Sequence, residues 1–301
     1  DNGSAISGYL YKLRENPTAC SGFYDSSAPG GTAWSAWTSF TPVSGALDLT
    51  GLSNGVCYEV AIAATNSYGT GASSRSSGKP ITDPAAPAID LITRGNQSAV
   101  VAFSASADNG GLPIVDFEYS IDGTTWVSSG LASPFTGPFT ISGLTNGTSY
   151  IVSIRTKTDA GSGTYRYSTA SATAAVTPAT LPSQIAIASS TPGNGVVDFV
   201  IGDPSSLANN GGSAISAVQY TIDGGLTWAN ANWSAGSTSV RVSGLTNSIS
   251  SGYTFNLRAI NSVGAGLASS TTALIKSGVA PTAPAIALAA NDRTISLGYT
   301  P

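Results

Sequence analysis

The side chains that most often carry out enzyme chemistry are scarce in this chain of 301 residues. It contains no histidine, which excludes Ser-His-Asp triads, imidazole bases and most zinc sites. Asp116 and Glu118 alternate with two aromatic residues, so both carboxylates belong on the outer face of one predicted strand. Such a pair could serve glycoside hydrolysis, but a solvated strand face explains it more simply. We therefore expect no catalytic residue and no cofactor.

Oxygen ligands for calcium are the next candidates. Asp108, Asp203 and Asp223 each lie beside glycine or proline in a predicted turn. Calcium prefers carboxylate and carbonyl oxygens, so a site is conceivable there. Aspartates at such positions are also typical of Asx turns, in which the carboxylate accepts a hydrogen bond from the backbone. The Asx turn needs no ion, and no metal site is predicted.

Tryptophan is the remaining residue type that could form a binding site, because an exposed indole can stack on a sugar. The chain has five: Trp34, Trp37, Trp126, Trp228 and Trp233. Trp126 and Trp228 both follow an Asp-Gly turn, and this repeated placement favours a packing role. The other three leave surface glycans open as an alternative partner.

Composition and charge narrow the class of protein. The net charge is −4 and the pI about 4.6, without the basic stripe that nucleic acid requires. An acidic chain with few Lys and Arg residues is also poorly suited to anionic membranes, and no apolar run reaches transmembrane length. Short segments of Val, Ile, Tyr and Phe between Gly, Asn and Asp turns predict an all-β protein. Asp1 fits a mature N-terminus left by a removed secretory signal, and equally a boundary within a longer sequence.

The chain repeats itself. Three blocks begin at Tyr58, Tyr150 and Tyr253, and each continues with apolar residues at alternate positions and ends in a Gly-x-Gly pair. A second block precedes each of these, with an Asn-Gly turn before an aromatic-rich strand: "DNGSAISGYLYKL", "DNGGLPIVDFEYSI" and "NNGGSAISAVQYTI". A third block opens with proline and two short strands, as in "PAIDL" and "SAVVAFS". Alternation predicts half-buried strands, and the glycines predict the turns between them.

Together these blocks resemble the fibronectin type III module in its Ser/Thr/Gly-rich bacterial form. The resemblance is carried by the Pro-led first strand, the Asn-Gly-Gly loop and the Leu-x-x-x-x-x-Tyr corner, as in Leu52 to Tyr58 and Leu144 to Tyr150. It implies tandem immunoglobulin-like β-sandwiches, each with seven strands A to G in two sheets. Because this fold serves as spacer, adhesive and binding module alike, it implies little about activity.

The module boundaries that follow are unequal. Residues 1–79 supply only strands C to G, residues 80–177 and 178–278 are complete modules, and residues 279–301 supply only strands A and B. When the last segment is placed before the first, "RTISLGYTP" and "DNGSAISGYLYKL" together match the corresponding part of the second repeat. The two terminal pieces therefore add up to one module.

A module without strands A and B would expose its core face. We expect the apolar residues of the C-terminal segment to pack on that face in another copy; they are Ile286, Leu288, Ile295, Leu297 and Tyr299, against Tyr9, Tyr11, Val60 and Ile62. Head-to-tail donation of strands produces a homopolymer, which predicts a structural subunit of a secreted or cell-surface filament.

The two cysteines, Cys20 and Cys57, favour a disulfide and an oxidising compartment, with two buried thiols as the alternative. In the module that the chain resembles, Cys20 falls after strand C and Cys57 at the start of strand F, and because these strands are neighbours a bridge is sterically reasonable. It would reinforce the one incomplete module.

Two other interpretations of the termini remain open. The chain could be one period of a longer covalent array, or a truncated monomer. In the first case it would belong to a spacer or carbohydrate-binding array of a larger secreted adhesin or polysaccharide-active protein.

Overall fold

The computed structural model describes residues 3–15, 20, 32–42, 45–132, 134–247 and 250–300, with residues 291, 299 and 300 described by their backbone alone. Every regular element in these ranges is a β-strand, which confirms the expected all-β class. No helix among these residues is long and apolar enough to cross a membrane. The chain forms two compact units: Asp1–Thr93, Val100–Ile141 and Tyr150–Val176 make the first, and Arg94–Ala99, Ser142–Ser149 and Thr177–Pro301 the second.

The first repeat is a single sheet in the described part of the chain. Its strands are β1 (Gly8–Glu15), β2 (Thr38–Phe40), β3 (Tyr58–Asn66), β4 (Gly69–Thr70) and β5 (Ser74–Gly78). They are antiparallel in the order β2-β1-β3-β4, and β5 also pairs with β3. In the terms of the sandwich fold, β1 is strand C and β3 is strand F. The register places Tyr11 opposite Ile62 and Leu13 opposite Val60, so the apolar residues of both strands share one face.

The second repeat has two sheets. Strands β6 (Ala88–Gly95), β7 (Ser98–Ser104) and β10 (Phe139–Ser142) form one sheet in the order β10-β7-β6. The other contains β8 (Ile114–Ser120), β9 (Val127–Ser128), β11 (Tyr150–Gly161), β12 (Thr164–Tyr167) and β13 (Ala174–Val176). Aromatic rings join the sheets: Phe103 of β7 lies 4.7 Å from Phe117 of β8, between ring centroids. This is a β-sandwich with an aromatic core.

The third repeat follows the same plan. Strands β14 (Ile187–Gly193), β15 (Val196–Ile201) and β18 (Ser239–Ser243) form one sheet, and β16 (Ala217–Thr221), β17 (Ala229–Asn230) and β19 (Asn256–Ile260) form the other. Phe199 and Phe255 meet between them at 5.2 Å. Both rings are fully buried in a core of aliphatic side chains. The chain thus consists of β-sandwiches in tandem, as expected.

The chain ends in an isolated hairpin of β20 (Ala285–Asn291) and β21 (Thr294–Thr300). These strands pair only with each other among the described residues, with Leu288 opposite Leu297. The two-residue turn between them, Asp292–Arg293, matches the turn Asn194–Gly195 between β14 and β15. The hairpin therefore corresponds to strands A and B of the complete repeats.

Candidate subunit interface

The inner face of the first sheet lacks the cover that the other repeats provide. In the complete repeats the strand F residues two and four positions after the conserved tyrosine are fully buried: Val152 and Ile154, and Phe255 and Leu257. In β3 the matching residues are Val60, which is only half-buried, and Ile62, which is 37% exposed. The sheet that would contain strands A and B, and cover this face, is not formed by the described residues of the first repeat.

Apart from Tyr58, the buried residues of β3 lie on the outer face. Glu59, Ala61 and Ala63 are buried there, so the alternation of burial along β3 is opposite to that along β11. Arg14 donates two hydrogen bonds to one carboxylate oxygen of Glu59, from Nη2 at 2.6 Å and from Nε at 2.9 Å. The guanidinium of Arg14 also lies 4.4 Å from the Trp34 ring. In the described part of the first repeat, side chains therefore cover the outer face of the sheet, whereas the inner face remains uncovered.

The C-terminal hairpin is apolar and exposed. Ile286, Leu288, Ile295 and Leu297 are all exposed, with Ile295 at 72% and Leu297 at 59%. Counting from the turn, Ile295 and Leu297 correspond to Val197 and Phe199 of β15, which are 0% exposed. Two apolar side chains at core positions of strand B, Ile295 and Leu297, thus lie in solvent, together with Ile286 and Leu288 on the same face of the hairpin. The fifth predicted member, the side chain of Tyr299, lies outside the described residues.

Strand B of a complete repeat pairs with strand E, so the hairpin requires a second strand as a neighbour. In the third repeat, Val197 and Phe199 of β15 pair with Val242 and Val240 of β18. In the first repeat the corresponding residues are Leu49 and Leu47, which are only half-buried. The apolar segment with which a donated hairpin would pair is therefore present, although its residues form no strand in the single chain.

The loop before β3 is fixed by a disulfide and by hydrogen bonds. Cys57 forms a disulfide with Cys20, and their Cα atoms are 5.4 Å apart. The Ser77 hydroxyl donates a hydrogen bond to the Cys20 carbonyl oxygen at 3.0 Å. The next residue, Tyr58, accepts a hydrogen bond at its hydroxyl oxygen from the Ser53 N–H at 3.1 Å. Tyr253 makes the same corner with the Thr246 N–H at 3.0 Å. These bonds fix the loop that leads into the open sheet.

Each of the three tryptophans of the second and third repeats packs within its own repeat. Trp126 packs against Arg155 at 4.4 Å and Trp228 against Arg258 at 4.0 Å, each arginine lying over the ring. Trp233 packs against the third core and donates a hydrogen bond to the Ser237 carbonyl oxygen.

Trp34 lies beneath Arg14 on the first sheet. Trp37, with Lys12 4.8 Å from its ring centre, is 39% exposed. Cation–π packing accounts for one face of each of these two rings.

The aspartates considered as calcium ligands accept hydrogen bonds within their own turns. Asp108 accepts one from the Gly110 N–H at 2.9 Å, and Asp203 accepts from the Ser205 N–H at 2.9 Å. Asp223 accepts from the Thr221 and Thr227 hydroxyls, and these bonds, with the Thr227 N–H, hold its pKa far below the usual value. No three potential metal-binding side chains cluster among the described residues. The hydrogen bonds are those of Asx-type turns.

The environment of Glu118 differs from the solvated strand face that the sequence predicts. It lies on the outer face of β8, as the alternation predicts, yet it is buried rather than solvated. Arg155 donates to its carboxylate at 2.5 Å, and the Lys157 ammonium lies 3.3 Å from its other oxygen. The outer face is covered because the long side chains of β11 lie across β8. Asp116 is half-buried at the edge of this cluster.

Comparisons with known proteins assign neither a family nor a function to the chain. No family model and no curated protein matches the chain. Among solved structures, 309 chains match. One contains the FN1–FN3 domains of chicken CNTN1, with a TM-score of 0.32 and 17% identity over 92% of this chain and 91% of that one. In the second repeat, the strand orders β10-β7-β6 and β12-β11-β8-β9 are those of the two sheets of an immunoglobulin-like β-sandwich.

Proposed function

We propose that this chain is a structural subunit of an extracellular filament, in which the C-terminal hairpin of one copy completes the N-terminal sandwich of the next. The observation that carries the proposal is a match of two exposed surfaces. One is the open inner face of β1 and β3, and the other is the apolar hairpin β20–β21. The residues that match Val60 and Ile62, and those of the third repeat that match Ile295 and Leu297, are buried in the complete repeats.

The register of the joined strands follows from the third repeat. There Phe199 lies opposite Val240, so Leu297 of the donor lies opposite Leu47 of the receiving copy, and Ile295 opposite Leu49. The inner side of the hairpin then packs on Tyr9, Tyr11, Val60 and Ile62, which occupy core positions of strands C and F. A strand donated to an exposed sheet edge gains backbone hydrogen bonds as well as apolar contact.

The apolar burial of the hairpin and the entropic cost of association are of similar size. Burying Ile286, Leu288, Ile295 and Leu297 contributes about 6–12 kcal/mol at roughly 1.5–3 kcal/mol for each side chain. Loss of translational and rotational freedom costs about 4–15 kcal/mol. Because these terms are similar, the strand pairing with Leu47–Thr50 and the burial of the receiving face determine the affinity.

The same contact repeated from copy to copy is head-to-tail and does not close on itself, so it generates a filament. The disulfide between Cys20 and Cys57 favours an oxidising compartment, which supports the extracellular location. This disulfide reinforces the first repeat, which must remain folded before a hairpin covers its core face.

The test is assembly of the full chain and of a Leu297→Asp variant, followed by sedimentation velocity and electron microscopy. We expect the wild type to form filaments and the variant to remain monomeric, because a carboxylate would be buried in the joined core. Leu226→Asp is the matched control, since Leu226 is 86% exposed in a turn and should assemble normally.

Two outcomes would overturn the proposal. One is filament formation by Leu297→Asp to the same extent as by the wild type. The other is purified native filaments whose denatured chain is far larger than 30.0 kDa, which would indicate a covalent array.

A further inference from the structure

The turn between strands A and B is held by one asparagine in each complete repeat. In the second repeat this residue is Asn146, which lies in the loop before strand F. Its side-chain oxygen accepts a hydrogen bond from the Gln97 N–H at 2.8 Å, and its amide nitrogen donates to the Asn96 side-chain oxygen at 2.8 Å. The Leu144 N–H adds a third bond, to the Gln97 carbonyl oxygen at 3.0 Å.

The third repeat has the same arrangement. The Asn247 side-chain oxygen accepts from the Gly195 N–H at 2.8 Å, and its amide nitrogen donates to the Asn194 side-chain oxygen at 2.6 Å. The Leu245 N–H donates to the Gly195 carbonyl oxygen at 3.0 Å. We call this set of three hydrogen bonds the asparagine clamp. It fixes the end of the A–B hairpin to the sheet that contains strand F.

The C-terminal hairpin carries the third copy of the turn. Arg293 has a φ of 54°, close to 53° for Gln97 and 65° for Gly195, so its backbone adopts the same left-handed conformation. Asp292 occupies the position of Asn96 and Asn194, and its carboxylate can accept the same hydrogen bond. Both side chains are exposed, and neither forms a hydrogen bond or ion pair with another described residue.

The first repeat carries the third copy of the asparagine. Asn54 lies four residues before Tyr58, as Asn146 lies four residues before Tyr150. The loop backbones agree, since the Gly55 N–H donates to the Pro80 carbonyl oxygen at 2.9 Å, as the Gly147 N–H does to the Pro178 carbonyl oxygen. The Asn54 side chain is exposed and has no hydrogen-bond partner among the described residues.

We infer that Asn54 of one copy clamps the Asp292–Arg293 turn of the hairpin that the preceding copy donates. This inference rests on the proposed strand exchange and names the contact that sets its register. The Asn54 oxygen accepts from the Arg293 N–H, its amide nitrogen donates to the Asp292 carboxylate, and the Leu52 N–H donates to the Arg293 carbonyl oxygen. A slip of two residues would keep the apolar side chains on the inner face but would lose all three bonds.

The first experiment compares Asn54→Ala with Asn146→Ala in the full chain. Asn54→Ala should weaken head-to-tail association by roughly tenfold, as expected for the loss of two side-chain hydrogen bonds. It should leave the unfolding of dilute monomer unchanged, because its partner belongs to another molecule. Asn146→Ala should do the reverse, lowering the unfolding midpoint while leaving the association constant, measured by sedimentation velocity, at the wild-type value.

A second pair of variants examines the donor side. Asp292→Asn keeps an acceptor and restores the residue of the other two turns, so it should associate like the wild type. Asp292→Ala removes the acceptor and should weaken association about fivefold, for one lost hydrogen bond.

The results separate two kinds of failure. If the wild type associates and Leu297→Asp does not, yet Asn54→Ala associates like the wild type, the clamp is wrong and the strand exchange stands. If neither Leu297→Asp nor Asn54→Ala changes the sedimentation of the chain, both the clamp and the exchange are wrong.

Discussion

At the scale of single residues, two of the few carboxylates in this chain are buried and paired with cationic side chains. Glu59 is fully buried on the outer face of the first sheet and is paired with Arg14, while Arg75 lies 3.6 Å from its second oxygen. Glu118 is paired with Arg155 and Lys157 on the second repeat. In both repeats a tryptophan covers one of the arginines. The buried charge is therefore compensated by groups that also shield it from water.

The aspartates of the Asp-Gly turns lead to a pH prediction. Hydrogen bonds from the Thr125 N–H and hydroxyl lower the pKa of Asp122, and those from Thr221 and Thr227 lower the pKa of Asp223, in each case from 3.8. The unfolded chain therefore binds these protons at a higher pH than the folded chain. The stabilisation is complete above about pH 5 and is lost as the pH falls below about 4.

Asp223→Asn should reduce this acid sensitivity, because its side chain does not titrate. The check is thermal unfolding of wild type and variant between pH 3 and 7, for which we expect a smaller decrease of the midpoint in the variant. Asp122→Asn, in the same turn of the preceding repeat, serves as an independent second case. Equal acid sensitivity in all three proteins would contradict the prediction.

At the scale of strands, the complete repeats share an unusual use of serine in strand G. The Leu257 N–H donates to the Ser269 hydroxyl oxygen at 2.9 Å, while the Ser269 N–H returns a bond to the Leu257 carbonyl oxygen at 2.7 Å. In the second repeat, Ser168 and Ser171 make the same pairs of bonds with Thr156 and Ile154. A hydroxyl thus replaces the backbone carbonyl where strand G leaves the regular ladder.

Ser269→Ala tests this role. The variant leaves the buried N–H of Leu257 without an acceptor, so it should lower the free energy of unfolding by about 1–3 kcal/mol. Ser270→Ala is the control, because Ser270 is exposed and contributes only its backbone carbonyl oxygen to the Ser269 hydroxyl. Urea unfolding followed by tryptophan fluorescence measures both, and an equal loss in the two variants would argue against the bridging role.

The strands could be predicted from the sequence more readily than the side-chain contacts between them. Alternation and turn residues are local signals, so the strands around Tyr58, Tyr150 and Tyr253 and the isolated final hairpin could be predicted. The serine bridges, the asparagine clamps and the burial of Glu118 could not. Each depends on which strand lies beside which, and on long side chains that cross from one strand to another.

For the whole molecule, the sequence predicts that one sandwich is divided between the two terminal segments, and the structure shows that Ile62 and the apolar residues of the hairpin are exposed. The position of the apolar residues could be read from the repeats, because Ile295 and Leu297 align with residues that form a core elsewhere in the chain. The contacts that we propose between copies could not be predicted in the same way. The proposal for Asn54 depends on the hydrogen bonds that Asn146 and Asn247 make in the structure.

A free copy of the hairpin provides a prediction at this scale. A synthetic peptide of residues 279–301 should occupy the open face of the first repeat and shorten the filaments as its concentration rises. The same peptide with Leu297→Asp should have no effect. Filament length by electron microscopy is the measurement, and equal lengths with both peptides would contradict strand exchange.

The isolated hairpin has one more consequence for any assembly built in this way. In such a filament each molecule contributes the open inner face of β1 and β3 and the apolar hairpin β20–β21, so the two tips are chemically different. One tip can bind only a new hairpin, and the other can bind only a new open face. Growth therefore has a direction, and an anchor that recognises either tip would fix which end faces away from its origin.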